Sequence, residues 1–205
     1  MQNEGTPTVY GISSVPLPSS EYEYIMSLFV GNTRATQIAA EPQFQLNSSD
    51  PDTVRNTLSE VATLFFFTCA VQANALAYAN QQPVYLYELL LGCTDPDNAA
   101  DPLCTSNGEV CHEDDLGMVF GTCTSPTSQQ TTLSNELMAR WAAFATSGNP
   151  NIAGSQYLQW QKVGSSTNLN AIRFSANSVV NDTLYSSICG PIFGSTIPFN
   201  FELFN

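Results

Sequence analysis

Cations are scarce in this chain: 5 Lys and Arg stand against 18 Asp and Glu, a net charge of -13 over 205 residues. That shortage argues against nucleic acid or an anionic membrane surface as a partner, because both are recognised by clustered cations. Charged residues of either sign make up only 11 %, while Ser, Thr, Asn and Gln abound, a polar but weakly charged composition that fits a secreted protein. Metal-ligand spacing is also missing. None of the 6 cysteines sits in a Cys-x-x-Cys pair, so a Cys/His zinc site has no spacing support. The loop carrying Asp95, Asp97 and Asp101 lacks the central glycine and closing glutamate of a calcium loop and reads as a solvated acidic loop. No metal and no cofactor is expected. No stretch reads as a membrane span: the most apolar one, Val61 to Ala77, is interrupted by Thr63, Thr68, Gln72 and Asn74 and reads as a buried helix. Residues 1–20 lack the basic start and apolar run of a signal peptide.

What is present points the other way on compartment. An even set of cysteines, Cys69, Cys93, Cys104, Cys111, Cys123 and Cys189, reads as disulfides and hence an oxidising compartment. Two N-x-S/T sequons, at Asn47 and Asn181, agree with that as glycosylation sites. A secreted or otherwise extracytoplasmic protein without its leader is expected to be part of a longer chain.

Along the chain, residues 7–20 are rich in Pro, Ser and Gly and are expected to form a loop. A short helix is expected over 20–30, capped by Ser19 or Ser20 and stopped at Gly31-Asn32, with a less regular stretch over 33–49. A long helix is expected from Asp50, its cap, with Pro51 at the first helical position, running to about Asn80 with room for a break near Cys69. Val54, Leu58, Val61, Ala62 and Phe65 fall on its buried face, and Phe65-Phe66-Phe67 makes the next turn apolar nearly all round. Pro83 to Leu90 has the aromatic and branched character of a central strand in a buried sheet. After an acidic loop over 92–111, a strong helix is expected over Thr132 to Ser147, with Leu133, Leu137, Met138, Trp141, Phe144 and Ala145 on one face and a stop at Gly148 and Pro150. Ala171 to Phe174 reads as a short strand. No internal repeat or low-complexity linker divides the chain, which is expected to belong to a single domain.

The one histidine, His112, lies in Cys-His-Glu-Asp-Asp-Leu-Gly-Met-Val-Phe-Gly over residues 111–121. Imidazole is the usual proton shuttle at neutral pH. This stretch resembles the histidine motif of the type-B carboxylesterase and cholinesterase family, roughly His-Gly-(Asp/Glu)-(Asp/Glu)-Leu-x-(Tyr/Phe/Val)-Val-Phe-Gly. It departs at Glu113, where that family usually has glycine, and at Gly117, where proline is frequent. Asn3-Glu4-Gly5 resembles the family's acid motif, Pro83 to Tyr87 its Pro-Val-Tyr-x-Tyr strand, and Leu137 to Asn151 its Met-x-x-(Tyr/Trp)-x-x-Phe segment ending in Gly-Asn-Pro-Asn. The separation of Glu4 and His112 is similar to that between acid and histidine in the family.

The resemblance covers essentially all of the chain but only the C-terminal part of a family domain. It implies an α/β fold, the C-terminal portion of an α/β-hydrolase with an incomplete central sheet flanked by helices. It implies a Ser-Glu-His triad in which His112 moves the proton and Glu4 holds the imidazole. The partners implied are a small-molecule or lipid ester and the missing N-terminal part of the same domain. The nucleophile is absent: no Gly-x-Ser-x-Gly elbow and no His-Gly-Gly loop occurs, and Ser13, Ser14, Ser125 and Ser128 lie outside any such setting. The chain alone is therefore expected to be inactive. Resemblance also pairs Cys69 with Cys189. The other four cysteines allow three pairings, of which Cys93–Cys104 with Cys111–Cys123 closes short loops and is the one expected. Tyr22, Tyr24, Phe44 and Met118 are read as packing residues rather than as a substrate gorge. The competing reading is a non-catalytic cholinesterase-like adhesion or carrier module, since fold does not fix function.

Overall fold

Residues 2–98, 102–106 and 110–193 are described by a computed structural model. They divide into a helical unit, the described residues of 3–74 and 185–193, and a mixed unit, residue 2 with the described residues of 75–184. A two-residue strand, β1 (Gln2–Asn3), opens the chain.

In the helical unit, α1 (Thr6–Ile12) occupies part of the stretch expected to be a loop. Pro7 sits in its first turn, where the missing N–H has no helical acceptor to lose. A 3-10 turn, Ser19–Glu21, leads into the expected helix α2 (Tyr22–Val30), so neither Ser19 nor Ser20 caps it through its side chain. Gly31, at φ 81°, ends α2 and starts α3 (Asn32–Ala40). That reversal needs a backbone conformation open to glycine. Residues 33–40 were expected to be irregular; α3 buries only Ala35 and Ile38, too sparse a pattern to register as periodic.

The long helix begins at α4 (Thr53–Ala62) rather than at Asp50. Asp50 instead accepts from the Asp52 N–H at 2.9 Å in a turn, and Asp52 pairs with Arg55. The helix passes through a π-helical turn, Thr63–Thr68, into α5 (Cys69–Ala79), so the expected break lies just ahead of Cys69. Thr63 explains its position. Its hydroxyl donates to Ser59 O and accepts from Gly5 N, both at 2.8 Å, drawing the ladder aside. Thr53–Ala79 is long and apolar enough, by length and composition alone, to cross a membrane. However, Val54, Leu58, Val61, Ala62 and Phe65 are buried in the core of this unit with Val9, Met26, Ile38 and Phe44. Phe66 and Phe67 are only half-buried. The Cys69–Cys189 disulfide ties the C-terminal segment, α9 (Ser186–Ile188) and the π-helical turn Cys189–Phe193, to this core.

The mixed unit holds a three-stranded sheet of β2 (Tyr87–Leu89), β4 (Ala171–Phe174) and β5 (Val179–Asn181). The order is β2-β4-β5, so β4 and not β2 is the middle strand. β2 pairs parallel to β4 with Tyr87 opposite Ile172, and β4 pairs antiparallel to β5. β2 is shorter than the expected Pro83 to Leu90. The approach is nevertheless bonded: Val84 O accepts from Val163 N, and Leu86 O from both Ile172 N and the Trp160 indole. Opposite charges stand on paired positions, Glu88 and Arg173, with Nε and Oε2 2.5 Å apart.

Between β2 and β4 runs α8 (Ser128–Ser147). It starts four residues before the expected Thr132, because Thr127 and Gln130 form a reciprocal capping box. It stops where expected, at Gly148 with φ 71°. Leu133 and Leu137 are buried against Trp160, Ile172 and Phe174, whereas Phe144 is 47 % exposed. Asn151 then grips Trp160, accepting from its N–H and donating to its carbonyl, both at 2.8 Å. Arg140, 1 % exposed, bonds Glu136 and Leu158 O beneath the sheet.

Candidate active site

His112 stands on a turn that follows the two-residue strand β3 (Val110–Cys111) and precedes α7 (Leu116–Phe120). Its side chain is 48 % exposed, and Glu113 Oε1 lies 3.9 Å from Nε2. The turn is built from below by Asp114, which is 1 % exposed. One Asp114 oxygen accepts from Cys111 N at 2.8 Å; the other accepts from Asp95 N at 2.7 Å and Asn98 Nδ2 at 3.0 Å. The same Asn98 amide donates to His112 O at 2.6 Å. Burial raises the Asp114 pKa, and the hydrogen bonds from Cys111, Asp95 and Asn98 oppose that shift.

Glu113 has φ 70°. That left-handed conformation is easy for glycine and strained for glutamate, which gives the motif's usual glycine a physical reason. The second departure has a packing reason. A Cβ at Gly117 would meet Cys123 Sγ and Cys93 Cβ at 3.3 Å, so the glycine makes room for the Cys93–Cys123 disulfide. Neighbouring elements hold the turn in place. Tyr87 OH donates to Asp115 at 3.1 Å, Gln130 donates to Gly92 O at 2.7 Å, and Ser134 donates to Met118 O at 2.6 Å. Gly92 lets the chain pass close: a Cβ there would stand 2.9 Å from Asp114.

The disulfides are Cys69–Cys189, as the resemblance implied, then Cys93–Cys123 and Cys104–Cys111. The expected pairs Cys93–Cys104 and Cys111–Cys123 are both wrong. Short loop length is a poor guide here because α6 (Pro102–Ser106) and β3 place Cys104 beside Cys111, while Gly117 leaves room for Cys123 to reach Cys93. Cys104–Cys111 thus anchors the residue before His112, and Cys93–Cys123 spans the far side of the turn.

Glu4 belongs to the helical unit, part-buried in the turn ahead of α1. The glycine after it is explained by close approach: a Cβ at Gly5 would stand 2.5 Å from Thr63 N. His112 belongs to the mixed unit. Of the sequon residues, Asn47 is exposed with its side chain accepting from Ser49 N, and Asn181 is half-buried at the end of β5 with its side chain accepting from Thr183 N and Leu184 N. Tyr22, Phe44 and Met118 are buried, as packing residues should be, but Tyr24 is 66 % exposed. Among the described residues no group of His, Cys, Asp or Glu could hold a metal ion; Asp101 and the Asp97 side chain lie outside the described set. A cleft of about 550 Å³ lined by Ser128, Thr132, Glu136, Tyr157 and Ser178 includes neither Glu4 nor His112. Sequence reasoning missed Asn98 and the structural weight of Asp114. The acidic run after His112 signalled the second, but nothing local marks the first.

The profile of the carboxylesterase family matches residues 19–190, a span that includes His112 and all six cysteines and leaves Glu4 outside. An acylcarnitine hydrolase of Rattus norvegicus is 28 % identical over 120 residues, 56 % of this chain and 21 % of that protein. Pyrethroid hydrolase Ces2a of Mus musculus is 28 % identical over 117 residues, 55 % of this chain and 20 % of that one. Among solved structures, a thermophilic PNB esterase superposes with a TM-score of 0.68 at 16 % identity over 94 % of this chain and 37 % of its own. A second PNB esterase gives 0.66 at 17 % identity over 91 % and 35 %. The matched stretch is about a fifth of the curated relatives' length, 21 % and 20 %. The chain belongs to the carboxylesterase family and carries part of its α/β-hydrolase fold.

Proposed function

We propose that this chain supplies the histidine and the acid of a serine carboxylic ester hydrolase, within the C-terminal part of a single carboxylesterase domain. The observation that carries the reading is the family match across the His112 turn. In this reading a serine hydroxyl attacks the ester carbonyl and His112 takes its proton, then returns it to the leaving alcohol. Glu4 fixes the imidazole's orientation and balances the imidazolium charge. The serine comes from sequence outside these 205 residues, because no Gly-x-Ser-x-Gly occurs within them.

The substrate class is a small-molecule or lipid ester. The named activities of the two mammalian relatives, on acylcarnitine and on pyrethroid, support that class. Three disulfides support an extracytoplasmic setting, in which Asn47 and Asn181 carry glycans.

The test starts upstream of Met1 in the native transcript. A protein extended to include an in-frame Gly-x-Ser-x-Gly should hydrolyse a short p-nitrophenyl ester, and His112→Ala should lower kcat by about 10³-fold or more, as should Glu4→Gln. The 205-residue chain alone should match its own His112→Ala control. An upstream stop codon, an elbow without its serine, or turnover indifferent to His112 would move the reading to a non-catalytic adhesion or carrier module.

A further inference from the structure

We infer that Asp114 and Asn98 are positioning residues for His112, a clamp that sets the backbone on both sides of the residue bearing the imidazole. The inference rests on the reading of His112 as the proton-transfer group.

The bonds are unusually concentrated. The Asp114 carboxylate holds the N–H of Cys111, the residue before His112, while the Asn98 amide holds the His112 carbonyl itself and also an Asp114 oxygen. The main-chain N–H of Cys111 and C=O of His112 thus join a single buried polar knot, closed by the Asp95 N–H. Cys93 N adds a bond to the Asp114 carbonyl at 3.0 Å. A buried carboxylate taking three N–H donors is costly to disturb, because any donor it releases is left without a partner in a low-dielectric site. Imidazole placement needs this. Proton transfer between side chains works only within hydrogen-bond reach, and a displacement of about 1 Å can cost about 10²-fold in rate. His112 is half-exposed on a turn, so its reach is set by the backbone beneath it. Replacing Asp114 with Asn would put an NH₂ opposite one of three N–H donors. Replacing Asn98 with Ala would free the His112 carbonyl and leave the carboxylate in place.

Because His112 is the sole histidine, the 205-residue protein labelled with 13C at histidine Cε1 gives one histidine signal. In Asn98→Ala and Asp114→Asn that signal should shift and broaden or split. In Asp114→Asn the Cys111 amide should exchange with solvent at least about tenfold faster, the equivalent of one lost hydrogen bond. The Trp160 indole signal, bonded to Leu86 O, should stay in place. A histidine signal unchanged in Asn98→Ala would overturn the inference. So would a Trp160 signal that moves as far, since the pair would then support the fold at large. Asn98→Ala decides the matter where Asp114→Asn fails to fold.

Ester turnover does not enter that readout, so a non-catalytic protein leaves it intact. In an active extended enzyme, Asn98→Ala should lower kcat by about 10- to 10²-fold with KM little changed; a kcat that does not move would overturn the clamp and leave the esterase reading standing.

Discussion

Cys104 is bonded to Cys111, and Cys111 immediately precedes His112, so a cross-link spanning a separation of 7 residues anchors the turn on which the histidine stands. The other two bridges span 30 and 120 residues. If disulfides stabilise chiefly by restricting the unfolded chain, removing each pair by double Cys→Ala substitution should cost about 5, 3.5 and 2.5 kcal/mol in the order Cys69–Cys189, Cys93–Cys123, Cys104–Cys111. Urea midpoints of the three variants check the ranking. Non-reducing peptide mapping should recover a Cys104–Cys111 peptide pair; recovery of Cys93–Cys104 would contradict the fold around the turn.

Glu113 carries a left-handed backbone beside the histidine, at φ 70°. Glu113→Gly should therefore stabilise the mixed unit by about 0.5–1 kcal/mol, relieved strain outweighing the added freedom of the unfolded chain. A rise of a few degrees in the thermal midpoint is the expected reading. A fall would mean that the glutamate side chain contributes more than its backbone costs.

Glu60, on α4, has its pKa raised by burial, and it helps burial push the Tyr22 phenol upward as well. An acid whose folded pKa lies above its unfolded value holds its proton longer in the fold, so stability falls as pH rises from the ordinary glutamate value, about 4.3, through the folded one. Glu60→Gln should thus match the parent protein near pH 3 and exceed it at pH 7. Denaturation midpoints across that range test the sign, and a variant less stable at pH 7 would refute it.

Arg140 is buried between Glu136 and the Leu158 carbonyl, with its guanidinium 5.8 Å from the Trp160 ring centre. Arg140→Ala should cost about 3 kcal/mol by leaving a carboxylate and a carbonyl without their donor. Arg140→Lys should recover only part of it, since an ammonium cannot reproduce the planar fork. Full recovery in urea unfolding would show that charge alone matters there.

Much of the fold was legible because it is locally encoded. The helix ending at Gly148, the strand Ala171–Phe174 and the apolar face from Val54 to Phe65 each follow from periodicity and a stop residue a few positions away. Short helices escaped for the same reason. α1 carries a proline in its first turn within a Pro/Ser/Gly-rich stretch, and α3 buries two side chains, so neither offers a pattern longer than a turn or two. The π-helical turn at Thr63–Thr68 depends on a hydrogen bond from Gly5, 58 positions away.

By itself the sequence determined the family, the motif that bears its one histidine, the oxidised state of the cysteines and the residues able to pack, because each is a matter of residue type and short spacing. Only the tertiary structure decided which cysteines meet, that Glu113 must adopt a glycine-like backbone, and that Asn98, 14 positions from His112, holds its carbonyl. Those are choices among contacts of nearly equal local cost. They are settled by which arrangement leaves the fewest buried polar groups without partners once the helices and strands have packed.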